Sequence, residues 1–236
     1  GLHGGMACVA SGIALVLQPL WPSVLFSVLA GQVTAGFIWL SGKRKALAVL
    51  TSFLAAFVVA LCAFWVARLG LIEGPLRSLL PPIAVLLPGA LIVTGVAELA
   101  AGAMMAGASR LGFGTAQLAM FTAGVLGAAW LTKVPVDQLN NQIIPWRGLW
   151  VPFLGVLLLT AGMSLMESIP RYLVPWVALM LATTLTFQII GQTVAGATWG
   201  GGLLGATVAS FGSSVIEMHR PRLPRLVLFL PSFWLL

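Results

Sequence analysis

The sequence predicts an all-α polytopic membrane protein, and three observations carry the prediction. Of 236 residues, 60% are hydrophobic and only 7% are charged, where soluble domains carry about 25% charged residues. The charges stand between uncharged runs that match or exceed the ~20 residues a helix needs to cross a bilayer. Counting those runs gives eight full transmembrane helices plus a truncated ninth. The same arithmetic excludes a soluble enzyme, a disordered chain and a nucleic-acid-binding protein. The net charge of +7 comes from Lys and Arg scattered between apolar runs, not from one basic patch.

Residues 1–42 contain no Asp, Glu, Lys or Arg, and Lys43, Arg44 and Lys45 follow together. Pro19 and Pro22, with Gln18 and Trp21 beside them, divide the run into spans near 4–18 and 22–41. Residues 46–67 make a third span. A fourth, Ser78 to Ala97, is interrupted by Pro81, Pro82 and Pro88-Gly89, and residues 111–132 make a fifth. The segment 133–148 holds Lys133, Asp137, Asn140, Asn141, Gln142 and Arg147 between Pro135 and Pro145. It reads as a polar loop between a first membrane domain, 1–132, and a second, truncated one, 149–236. In the second domain 149–166 is a span, the uncharged run 172–216 is two, split near Gly191 to Gly196, and 226–236 is half of one. Both chain ends look cut, so further segments are expected at each.

Lys and Arg in short loops favour the cytoplasm. Lys43, Arg44, Lys45, Arg110, Arg171, Arg220, Arg222 and Arg225 follow even-numbered spans, while Arg68, Arg77, Lys133 and Arg147 follow odd ones. A cytoplasmic N-terminus is therefore expected. Pro82 to Leu87 followed by Pro88-Gly89 is matched by Pro231 to Leu236 at the end of the chain, with Arg77 and Arg225 upstream. This weak match suggests two halves related as a parallel repeat, an arrangement that transporters use to place substrate where discontinuous helices meet.

Pro88 lacks an amide hydrogen and Gly89 leaves helical angles easily, so the pair reads either as a packed kink or as a break whose backbone groups face a polar solute. Thr94 and Glu98 lie four apart on one helical face. Glu98 sits either in a pathway, since a carboxylate in mid-bilayer is costly, or in water at the interface. Gln117 adds hydrogen-bonding capacity, and Thr184, Gln188 and Gln192 form a stripe at four-residue spacing. The stripe suits a zwitterionic or hydroxyl-bearing solute, and it suits interhelical bonding equally. Gly196-x-x-x-Gly200 and Gly201-x-x-x-Gly205 read as close-packing faces. Cys8 and Cys62 lie in apolar stretches as small packing side chains. His3 and His219 are isolated, so neither a metal nor a cofactor is expected. No Ser/His, paired-Asp or metal-ligand set suggests an enzyme.

Leu87-Pro88-Gly89-Ala90-Leu91, then Glu98-Leu99-Ala100-Ala101-Gly102, then Gly107-Ala108-Ser109-Arg110 resembles the signature of the threonine/serine exporter family. In that family a Pro-Gly is followed by an acidic residue before a Leu, a Gly, and a Gly-x-x-Arg; Glu98 stands where Asp is commonly found. From about Trp146 the chain is similar to the family's second membrane domain, including the Gly-rich Trp199 to Gly205 and Arg222-Leu223-Pro224-Arg225. The resemblance implies ten helices as five plus five, a further N-terminal soluble domain, and proton-coupled export of threonine and serine across the inner membrane. Pro88, Gly89, Thr94, Glu98, Gln117, Gln188 and Gln192 are then the expected substrate-binding residues, with Glu98 the candidate for proton coupling. The expected partners are the amino acid, the proton, the lipid bilayer and, as an open option, further copies of the chain. The alternatives are a dicarboxylate exporter of the succinate type, as in related two-subunit members, and a non-transporting membrane scaffold.

Overall fold

The computed structural model describes residues 1–17, 20–43, 45–72, 74–134, 148, 150–196, 198–219, 229 and 232. Every extended element among them is a helix: α1 (Leu2–Leu17), α2 (Trp21–Lys43), α3 (Lys45–Arg68), α4 (Pro75–Ile83), α5 (Gly89–Ala100), α6 (Met104–Thr132), α7 (Trp150–Met166), α8 (Val174–Ala195) and α9 (Thr198–His219), with a 3-10 turn at Ala84–Leu86. Among the described residues, four stretches are long and apolar enough to cross a membrane: Trp21–Lys43, Leu50–Arg68, Met104–Thr132 and Val174–Ala195. A fifth is added if Pro75–Leu86 and Gly89–Ala100, bent by 59°, count as one crossing. Length and composition thus support four or five spans, and the expected eight full helices go beyond that. α1 and α7 are apolar but shorter. Most of the polar segment 133–148, the arginines at 220, 222 and 225, and nearly all of 226–236 lie outside the described residues.

The element boundaries follow local chemistry. α1 ends at Leu17, ahead of Pro19, and α2 starts at Trp21 with Pro22 in its first turn, where a missing amide hydrogen is harmless. The split of 172–216 falls at Gly196, whose φ of +61° ends α8. Gly196 is therefore a turn residue with open space around it, not part of a packing face as its spacing from Gly200 suggested. Pro81 and Pro82 do not interrupt the helix; they lie inside α4 near its end. The departure from α-helical geometry comes at 84–88, where the 3-10 turn leads into Pro88.

The chain divides into two compact units, Leu17–Pro145 and Gly1–Val16 with Trp146–Leu236. In the first, α2, α3, α4 and α6 surround a core of Phe26, Val59, Phe64, Leu79, Ile83 and Phe121 with the alanines between them. In the second, α1 lies antiparallel against α7. A Cβ on Gly12 would come 2.6 Å from the Gly155 carbonyl, and one on Gly162 would come 2.7 Å from that of Gly5. Each glycine pair is spaced by seven residues, two helical turns, which keeps both members on one face and lets the backbones touch. α8 and α9 form a hairpin of the same kind: a Cβ on Gly201 would fall 2.6 Å from the Gln188 carbonyl, and one on Gly200 would fall 2.7 Å from that of Gly191.

Candidate functional site

The site is built around carbonyls that prolines and a bend leave without helical partners. In a continuous helix the residue 82 amide would donate to the Ser78 carbonyl, and Pro82 has no hydrogen to give. The single Ser27 hydroxyl hydrogen is shared from α2 between the Ser23 carbonyl at 2.8 Å and the Ser78 carbonyl at 3.5 Å, and Ser78 Oγ donates to Ser23 Oγ at 3.3 Å. All three serines are completely buried. Pro88 likewise cannot serve the Ala84 carbonyl, which accepts the Leu87 amide at 3.0 Å. The Leu86 carbonyl has lost the helical partner that residue 90 would supply, because α5 leaves at 59°. Gln117, in the middle of α6, donates to it from Nε2 at 3.1 Å, and the same nitrogen donates to Ser52 Oγ of α3 at 3.1 Å. Unmet backbone groups are costly wherever water is absent, so these side chains are what permit the break.

α5 leads from the break to the acidic residue. It ends in a Schellman turn: Gly102, at φ +84°, donates to the Leu99 carbonyl at 3.0 Å and Ala103 donates to that of Glu98 at 2.8 Å. The chain then reverses into α6, which packs on α5 through glycines. A Cβ on Gly107 would lie 2.7 Å from the Gly95 carbonyl and 2.8 Å from the Leu99 amide nitrogen, and one on Gly114 would lie 3.1 Å from Ile92. This approach brings Arg110, one turn beyond Gly107, to Glu98: Arg110 Nε donates to Glu98 Oε1 at 3.0 Å. Glu98 Oε2 is buried and makes no hydrogen bond among the described residues. The side chains of Arg110 and Glu98 are 48% and 29% exposed, so the pair is worth about 1 kcal/mol or less in stability.

Within the first unit the expected residues are spread along α5 and α6. Gln117 bonds the Leu86 carbonyl, two residues before Pro88. Thr94 lies part-way along α5 and gives its hydroxyl hydrogen back to its own helix, 2.7 Å from the Ala90 carbonyl and 3.2 Å from that of Leu91. Glu98 is nine residues beyond Gly89, about 13.5 Å along the axis. Gln188 and Gln192 belong to the other compact unit, on the α8 face that receives Gly201, and Thr184 below them is buried with its hydroxyl 3.4 Å from Ser232 Oγ. Ser52 was not among the expected residues: a lone serine in an apolar helix carries no sequence signal, and only the contact with Gln117 shows its part. No group of three or more metal-ligating side chains occurs among the described residues.

Comparison with known proteins gives one finding. The family model of the threonine/serine exporter (ThrE) matches residues 3–132, more than half of the chain. No curated protein and no solved structure matches it. The chain belongs to the threonine/serine exporter family, a family of transporters.

Proposed function

We propose that this family member exports threonine and serine across the inner membrane in exchange for protons. The observation that carries the reading is the interrupted helix pair at 84–89, whose freed Leu86 carbonyl is held by Gln117 from another helix. A break kept in place by side chains on two neighbouring helices is a built feature, not a passive kink. Family membership supplies the solute class, a small molecule moved through a membrane.

In this reading the solute meets the backbone groups around Pro88 and Gly89, with Gln117 beside them and Thr94 further along. Glu98 carries the exchangeable proton on Oε2, since Oε1 is committed to Arg110. At about 13.5 Å from the break, it acts on export through α5 and not by holding the same solute molecule. Gln188 and Gln192 are assigned as polar groups of the second unit's own solute contact. We further assign the bent pair to one crossing, α1, α7 and α9 to further crossings, and the N-terminus to the cytoplasm. The dicarboxylate alternative is weaker because Arg110, the basic group it would use, is already paired with Glu98.

The test is pH-driven uptake of labelled threonine and serine into everted membrane vesicles. Wild type should accumulate both when a proton gradient is imposed, and Glu98→Gln should abolish the response to the gradient. A gradient response unchanged in Glu98→Gln removes the proton role, and vesicles that carry succinate but neither amino acid remove the substrate assignment.

A further inference from the structure

We propose that Gln117 reads the side-chain hydroxyl of the transported amino acid and that Ser52 fixes it in the orientation needed; the proposal rests on the export reading above. The orientation of a glutamine amide is set by its partners. Here the Leu86 carbonyl can only accept, so the group 3.1 Å from it is the nitrogen. The second amide hydrogen goes to Ser52 Oγ, also at 3.1 Å. Both hydrogens are spent, and the carbonyl oxygen Oε1 is what Gln117 has left to offer, next to the break.

A neutral acceptor whose own amide hydrogens are both engaged selects its ligand by chemistry. It favours an O–H or N–H group and repels a carboxylate oxygen. Because the acceptor is a neutral amide, a neutral hydroxyl meets it with the smaller loss of hydration, whereas an ammonium does better against a carboxylate. Thr94, further along α5, has its own hydrogen committed to Ala90, so it does not duplicate this role. Gln117 cannot rotate to present its nitrogen to a solute without stripping the Leu86 carbonyl of its partner and placing oxygen against oxygen. Sites that bond a substrate hydroxyl discriminate strongly against analogues lacking it, because the site's own polar group is otherwise left unmet. Ser52, buried on α3, is a positioning residue: it touches Gln117 and not the solute.

The experiment is competition by unlabelled serine and alanine against labelled threonine, using the full-length protein in proteoliposomes, for wild type, Gln117→Met and Ser52→Ala. In wild type serine should compete at least about tenfold better than alanine. Gln117→Met should bring the two within about twofold of each other, mainly by weakening serine. Ser52→Ala, which removes only the hydrogen bond from Gln117 and frees the amide to turn, should move the ratio in the same direction by about threefold. A loss of structure alone would weaken both competitors together and leave their ratio unchanged. If Gln117→Met does not fold, the Ser52→Ala ratio decides. An unchanged serine-to-alanine ratio in the variants, with threonine transport intact in wild type, overturns the proposal and spares the export reading. Wild-type vesicles that move neither amino acid overturn both.

Discussion

α4 and α5 are consecutive pieces of one apolar stretch, yet they are held in opposite ways. α4 is wedged between α2 and α3, with Ser78, Leu79, Pro81, Pro82 and Ile83 buried and a serine cluster tying it to α2. Of the twelve residues of α5, Gly95 is the one that is buried, and its close neighbour is α6. Where apolar side chains interlock, a segment is fixed by many contacts; where a glycine lets two backbones meet, it is fixed along a line and its other faces stay open. The break lies between a fixed half and a lightly held half, with Gln117 binding the joint from α6. This asymmetry suits a segment whose open half exchanges partners while the other keeps its place.

The sharpest way to break this contrast is Gly107→Val. The new side chain would drive into the Leu99 amide and the Gly95 carbonyl, so α5 should separate from α6. Threonine flux should fall to background, with the apparent Tm in detergent lowered by overpacking worth about 1–3 kcal/mol. Pro88→Ala comes next. It restores an amide hydrogen and removes a ring clash, so the bend should narrow in spin-label distances between α4 and α5, and flux should drop about tenfold. An unchanged distance would show that Gln117 and the packing of α4 set the angle without the proline. Ser78→Ala tests the fixed half: losing one buried hydrogen bond should cost about 1 kcal/mol in thermal stability while flux stays within about twofold. A large flux defect there would put solute on the α4 side as well. The smallest effect is expected at the far end of α6, where Lys133 caps the helix at φ +48°. Lys133→Gly should stabilise by about 1 kcal/mol, because the left-handed conformation no longer strains a Cβ, with transport unaltered.

The helix limits were largely legible because proline and glycine act locally. The gap between α1 and α2 spans Pro19, and that between α8 and α9 spans Gly196, as the charge-free runs suggested. The span count was less so: the sequence invited eight full crossings, while among the described residues four or five stretches meet the length and hydropathy a crossing needs. The glycine faces were legible in part. Gly200 and Gly201 pack on α8 as their pattern suggested, while Gly5 with Gly12, Gly155 with Gly162 and Gly107 with Gly114 make their contacts at spacings of seven, which a four-residue pattern does not single out. Contact between α1 and α7 joins segments about 150 residues apart, which linear hydropathy cannot report. Within the site, Pro88-Gly89 and Gln117 were individually visible. Their connection through the Leu86 carbonyl was not, because a backbone acceptor has no letter in the sequence. Glu98 and Arg110 stand twelve residues apart in the sequence and become neighbours only through the turn at Gly102.

α6 has a further consequence through its length alone. Its 29 residues extend about 43 Å, beyond the roughly 30 Å of a typical hydrocarbon layer. Such a rod must lean or protrude, and how far it leans depends on the lipids around it. Acyl-chain length therefore becomes a control on this protein: thinner bilayers should make α6 lean further or leave more of its ends among the headgroups, and thicker ones should bring it upright.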